Sequence, residues 1–156
     1  MFRRQTKTQT NISEYGYINI KIDKMEVKKI MDIKNKVRLV QEKEIELLKI
    51  FSEICEQYNL TYYALGGTLL GAIRHGGFIP WDDDMDLGMP REDYDKFIEI
   101  SGSVLPKHVL LKQHTDNLGN TSIRDTSTVI TFGTTDCNPF LDIFPLDGFP
   151  EKGLSK

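Results

Sequence analysis

The chain has 156 residues, of which 39% are hydrophobic and 28% charged, with a formal net charge of −3; that length is enough for one domain with a real core. Its apolar runs are too short for a membrane-spanning helix, and MFRRQTKTQT has no apolar stretch behind it to make a secretory signal, so a cytoplasmic location is expected. The acidic residues concentrate at 82–86, and the basic residues of 21–43 alternate with Asp and Glu, so no nucleic-acid partner is expected.

Residues 1–14 are polar and read as a frayed terminus. Ile18, Ile20 and Ile22 alternate with Asn19 and Lys21, which predicts a short strand or extended arm. The division expected is an N-terminal arm, 1–33, and a catalytic domain, 34–156. From Lys34 to Tyr58 a helix is predicted, because Val37, Val40, Leu47, Leu48, Phe51, Ile54, Cys55 and Tyr58 recur mostly at three- and four-residue steps. TYYAL (61–65) reads as a strand running into Gly66-Gly67. Thr68 is expected to cap a short helix that Gly76-Gly77 end. Asp84 to Met89 alternate carboxylate or glycine with Met85, Leu87 and Met89, the pattern of a strand with one buried face. Pro90 then opens a helix to about Ser101. The remainder is strand-rich, with segments at 108–113, 121–125, 128–133 and 139–144 separated by turn residues such as Asn117, Gly119 and Asn138. Cys55 and Cys137 lack metal-ligand spacing and are expected as buried, unpaired thiols.

The chemistry concentrates in YALGGTLLGAIRHGGFIPWDDDMDLGM (63–89). A glycine pair feeding a helix N-terminus can seat a phosphate on backbone N–H groups, although a Gly-Gly turn alone needs no ligand. Side chains two apart on a strand share a face, so Asp84 and Asp86 are expected to point together. Two such carboxylates repel unless a cation lies between them. Asp82 and Asp83 precede that strand and face either the site or water. A calcium loop fails on Leu87, where glycine is required, and on Asp93, where glutamate is required. Arg74 could clamp a phosphate. His75 reads as a phosphate contact or merely a basic residue at a helix C-terminus. Trp81 could stack on a base or headgroup, or simply pack, and Tyr63 offers a second aromatic face. Asp142, between Leu141 and Ile143, is a candidate third metal carboxylate and proton acceptor. Arg124 is placed as a phosphate or nucleotide contact, or as a structural ion-pair partner of Asp142. Asp147, before Gly148, reads as a turn residue. These residues point to a metal-dependent enzyme acting on a phosphate ester.

GGTLLGAIRHGGFIPWDDDMDLGMPREDYDKF (66–97) resembles the signature of the LicD family, and FLDIFPLDGFP (140–150) resembles that family's second block. The resemblance runs from about Gln41 to Pro150. It implies an α/β nucleotidyltransferase fold of the polymerase-β kind, a small mixed sheet flanked by helices. It places Gly66 and Gly67 in the glycine turn, Asp84 and Asp86 in the D-x-D metal site, and Asp142 as third carboxylate, with Mg²⁺ or Mn²⁺ as cofactor. Family members transfer phosphocholine from CDP-choline to sugars of lipopolysaccharide or teichoic acid, and relatives transfer ribitol phosphate from CDP-ribitol. The resemblance therefore implies a CDP-alcohol donor, a glycan acceptor, CMP as product, and a protein at the inner face of the membrane. Family members continue past the second block with helical segments, so a domain lacking its C-terminal helical part is expected. The alternatives are a nucleotidyltransferase, a nucleotide-sugar glycosyltransferase using the same D-x-D, and a non-catalytic nucleotide-binding remnant.

Overall fold

Two isoleucine-bearing segments near the N-terminus pair as a hairpin. The computed structural model describes residues 9–12, 18–21, 24–114 and 119–148. The remaining stretches of the expected frayed terminus, Ile22, the turn at Asn117 and the end of the second block beyond Gly148 lie outside the described residues. The chain divides into two units, Met1–Asn35 and Lys36–Lys156. In the first, β1 (Gln9–Ile12) pairs antiparallel with β2 (Ile18–Lys21), setting Ile12 opposite Ile18. Residues 9–12 are thus strand rather than frayed chain.

The first helix, α1, spans Lys24–Tyr58 and begins earlier than the expected Lys34. KMEVKKIMDI has no single apolar stripe, and Met25, Ile30, Met31 and Ile33 are exposed. Its Lys, Met and Glu are good helix formers, so backbone propensity extends the element beyond its buried face. Among the described residues no helix is long and apolar enough to cross a membrane.

In the second unit a five-stranded sheet runs in the order β3 (Tyr63–Ala64), β4 (Asp86–Pro90), β9 (Phe140–Leu146), β6 (Thr121–Asp125), β5 (Val109–Gln113). The β4–β9 pair is parallel and the other pairings are antiparallel, so the sheet is mixed as expected. Helices α2 (Gly66–His75) and α3 (Arg91–Val104) precede and follow β4. A second hairpin joins β7 (Ile130–Phe132), which covers only part of the strand expected over 128–133, to β8 (Thr135–Cys137), which was not expected; Gly133, at φ 65°, lies in the turn between them.

Two further strands are shorter than expected. TYYAL forms only Tyr63–Ala64, because Thr61 N–H is held by the Asp93 carboxylate and Leu60 N–H by Cys55 O, which ties the approach to helix ends. The strand expected from Asp84 begins at Asp86, although Asp142 N–H reaches back to Met85 O at 2.9 Å.

Leu47, Phe51, Ile54 and Cys55 of α1 and Tyr94 and Phe97 of α3 pack with Met85, Leu87, Met89, Ile123, Leu141 and Ile143 of the sheet. Phe51 meets Tyr62 and Phe97 edge-on, each with ring centroids 5.1 Å apart. Period-two alternation turns Leu141 and Ile143 into this core and Asp142 to the opposite face. Cys55 is buried as expected, but Cys137 on the short β8 is only half-buried; both are free thiols.

Phe97 is fully buried at the centre of this packing. Phe97→Ala should lower stability by about 3–5 kcal/mol, read as a shift in the urea unfolding midpoint.

Candidate active site

The parallel register of β4 and β9 places Asp86 opposite Asp142. Neighbouring strands lie about 4.8 Å apart, so in-register side chains on one face are close neighbours. The backbone of Asp86 is held on both sides: its N–H donates to Thr68 Oγ1 at 2.8 Å, and its carbonyl accepts Leu65 N–H at 3.0 Å. These bonds dock the start of α2 against the start of β4. They also correct the expected role of Thr68. Leu65 is the N-cap residue, without a side-chain cap, and Thr68 lies within the first turn. Its hydroxyl serves the neighbouring strand instead of its own helix.

That docking uses the backbone of Gly66 and the open space at Gly67. Gly66 has φ 46°, a backbone conformation that disfavours any side chain, and a β-carbon there would sit 3.8 Å from Asp86 Oδ2. A β-carbon on Gly67 would come within 2.6 Å of Asp82 Oδ2. The first turn of α2 holds no acidic residue and no capping side chain, so its N–H groups and positive dipole end stay available beside the aspartates.

Asp142 is flanked on its other side by β6, where Ser122 is its register partner. His114 Nε2 lies 3.0 Å from Ser122 Oγ and 3.9 Å from Asp142 Oδ1. Arg124 Nε also donates to Ser122 Oγ, at 3.0 Å, while the guanidinium lies over the Phe140 ring, 4.7 Å from its centroid. His114 has no motif around it in the sequence; only the β5–β6 pairing brings it to Asp142.

Asp84 precedes β4, so it does not share a strand face with Asp86 as expected, yet it remains in the group. Burial pushes the Asp86 carboxyl above its usual range, with the charges of Asp84, Asp142 and Asp82 adding to the effect. Asp84 is likewise raised, by burial first and by Asp82 next. Asp82 therefore belongs to the cluster. Its backbone is pinned from α1, where Gln41 Nε2 donates to Asp82 O at 2.7 Å and to Ile79 O at 3.3 Å.

A second residue, after His114, escaped the sequence reading. Glu44, one turn along α1 from Gln41, is fully buried. Neither of its carboxylate oxygens has a hydrogen-bond partner. Burial pushes its carboxyl up to about 9, and the charges that add most are Asp84, Asp83, Asp82 and Asp142. The available signal was its register: Val40, Glu44, Leu47 and Phe51 form one inward stripe, so a Glu occupies an apolar position.

Other candidates lie further out. Arg74 and His75 occupy the exposed last turn of α2, about 12 Å of helix from Gly66. Trp81 is 77% exposed and Tyr63 54%, so neither is used in packing. Asp147 is not a plain turn residue, since its two oxygens accept from Arg91 Nε and a terminal guanidinium nitrogen at 2.6 and 2.7 Å. An apolar cleft lined by Ile45, Leu48, Thr68, Ala72, Phe78 and Met85 runs between α1 and α2.

Thr68→Val should leave the Asp86 amide without its acceptor and lower stability by about 1–3 kcal/mol in chemical denaturation, whereas Thr68→Ser should retain most of it. The raised carboxyls also predict a pH dependence. Between the unfolded glutamate value of about 4.3 and the folded value of about 9, the folded chain binds more protons than the unfolded one. Stability in EDTA should therefore be highest on the acid side and fall as pH rises from 5 to 9. Glu44→Gln should flatten that slope in thermal melts.

The family model described as "LicD/FKTN/FKRP, nucleotidyltransferase domain" matches residues 59–154. The lipopolysaccharide cholinephosphotransferase LicD of Haemophilus influenzae is 39% identical over 116 residues, which cover 69% of this chain and 43% of that protein. The ribitol 5-phosphate transferase FKRP of Homo sapiens is 44% identical over 50 residues, 32% of this chain and 10% of FKRP. The chain thus spans about two fifths of the Haemophilus protein and a tenth of the human one. With a family match across most of its length, over the glycine turn, the aspartates and β9, the chain belongs to the LicD/FKTN/FKRP nucleotidyltransferase-domain family.

Proposed function

We propose that this domain catalyses transfer of a phospho-alcohol, phosphocholine or a related group, from a CDP-activated donor to a hydroxyl of a cell-surface glycan, releasing CMP. The observation that carries the reading is the Asp86–Asp142 pair beside the uncapped glycine end of α2. A carboxylate pair next to free backbone N–H groups is suited to a diphosphate with its counter-ion. The names of the Haemophilus and human relatives support transfer of a phospho-alcohol.

Among the described residues no three His, Cys, Asp or Glu side chains stand ready-closed around a metal position. The donor set still fits a hard divalent cation. It is all oxygen, its members repel one another, and the buried Glu44 oxygens lack any partner. Asp84, Asp86 and Asp142 would hold Mg²⁺ or Mn²⁺. When bound, the cation would neutralise the donor diphosphate and the departing CMP.

The chain's own groups supply the remainder. Backbone N–H groups of Gly66, Gly67 and Thr68 seat phosphate oxygens. The acceptor hydroxyl attacks phosphorus in line, the phosphorus–oxygen bond to CMP breaks, and Asp142 takes the hydroxyl proton. His114, 3.9 Å from Asp142 Oδ1 and itself held by Ser122 Oγ, orients that carboxylate. Exposed Trp81 offers a stacking face to the cytosine or a cationic headgroup. Arg124 contributes positive charge on the Asp142 side, while Arg74 would reach the donor only across the length of α2.

The test is product analysis with Mg²⁺, CDP-choline, CDP-ribitol or CDP-glycerol, and a lipopolysaccharide or teichoic acid acceptor. CMP release with a phospho-alcohol on the glycan is expected, falling by about 10²-fold or more in Asp86→Asn. Free phosphocholine, or the matching phospho-alditol, with CMP left on the acceptor would instead mean nucleotidyl transfer. A CDP-alcohol at about 100 times its dissociation constant should stabilise the fold by about 2.7 kcal/mol in a thermal-shift assay, and no shift with any CDP compound would overturn the donor assignment.

A further inference from the structure

Along α1 the inward stripe Val40, Leu47, Phe51, Ile54 is apolar except at Glu44. A glutamate at such a position needs a partner, because burying an unpaired carboxylate is strongly unfavourable and a leucine of similar size would pack there without penalty. Glu44 is 0% exposed, and neither Oε1 nor Oε2 has a hydrogen-bond partner. The strongest charges acting on it all come from the Asp82–Asp84 segment and Asp142. One turn before it, Gln41 fastens α1 to the main chain at Ile79 and Asp82. The helix is thereby anchored to the loop that carries the aspartates, with Glu44 on the anchored face.

We propose that Glu44 is a further carboxylate of the divalent-cation site, supplied by α1 to the Asp84, Asp86 and Asp142 group. This rests on the cation reading given above and extends it to a residue outside the glycine turn, the D-x-D segment and β9. The argument is one of compensation. Four aspartates and a buried glutamate cannot share one neighbourhood as anions unless positive charge enters it. No lysine, arginine or histidine is among the main influences on Glu44. A cation held by the aspartates offers the missing partner, and Glu44 adds an oxygen donor from the side of the site that solvent does not reach. A purely structural glutamate would have been satisfied by a backbone amide or a basic side chain.

Mn²⁺ binding to the chain without donor or acceptor, followed by calorimetry or electron paramagnetic resonance, tests this directly. Glu44→Gln keeps the shape and removes the charge. Its Mn²⁺ affinity should fall at least about tenfold, while its melting temperature in EDTA stays level or rises. Glu44→Leu, which continues the apolar stripe, guards against a Gln variant that fails to fold; it should melt higher than the wild type in EDTA and lose the Mn²⁺-induced rise. Wild-type Mn²⁺ affinity in either variant would overturn the assignment. If Asp86→Asn loses Mn²⁺ and Glu44→Gln does not, the cation reading stands and only the role of Glu44 fails. If the wild type binds no Mn²⁺, the cation reading itself fails and takes this one with it.

Discussion

Mutual repulsion among carboxylates is the constraint around which the rest of the domain is arranged. Asp86 and Asp142 face each other across the β4–β9 ladder, Asp82 and Asp84 act on Asp86, and Glu44 feels four of the aspartates. Left to themselves, such groups would push apart or take up protons. Rigid backbone connections hold them: a parallel ladder under Asp86 and Asp142, the Thr68 hydroxyl on the Asp86 amide, and the Gln41 amide on the Asp82 carbonyl. The helix end next to them contributes positive potential without a side chain. The result is a preorganised concentration of negative charge beside a positive helix end.

Several elements of the second unit have a part in that arrangement. The core formed by α1, α3 and the sheet fixes where β4 and β9 lie, and alternation along β9 sends Leu141 and Ile143 inward and Asp142 outward. Glycine at 66 takes the left-handed backbone that starts α2 beside the carboxylates, and at 67 a β-carbon would displace the Asp82 carboxylate from its place against that turn. Parallel pairing of two strands so distant in sequence is what joins the two halves of the site. The exposed aromatic side chains at Tyr63 and Trp81 stand outside this frame, so the fold does not need them for its stability.

Much of this could be read along the chain because it is local. The D-x-D spacing, the glycine pair, the helix stop at Gly76 and the alternation around Asp142 each depend on a few adjacent residues, and each was legible. Boundaries were less so. Thr68 looked like a cap because threonine before a helix usually is one, and the competing partner, the Asp86 amide, is eighteen positions away. Asp84 looked like a strand residue because the pattern alternates, but ladder pairing begins only at Asp86. The sequence leaves Asp82 facing either the site or water, and only the packing of Gly67 and Gln41 against it places it with the cluster.

The sequence by itself determined the groups available: clustered carboxylates, a glycine turn feeding a helix, and a later carboxylate flanked by apolar residues. Composition and spacing suffice for that, since period-two and period-3.6 patterns assign faces without any long-range knowledge. The tertiary structure alone decided which groups meet. Register, not spacing, sets Asp142 beside Asp86, and strand pairing across β5, β6 and β9 brings His114 to Asp142. Helix docking turns Glu44 from one more acidic residue in a charged helix into a buried carboxylate without a partner. Those contacts depend on how distant segments share one core, and no local pattern encodes that.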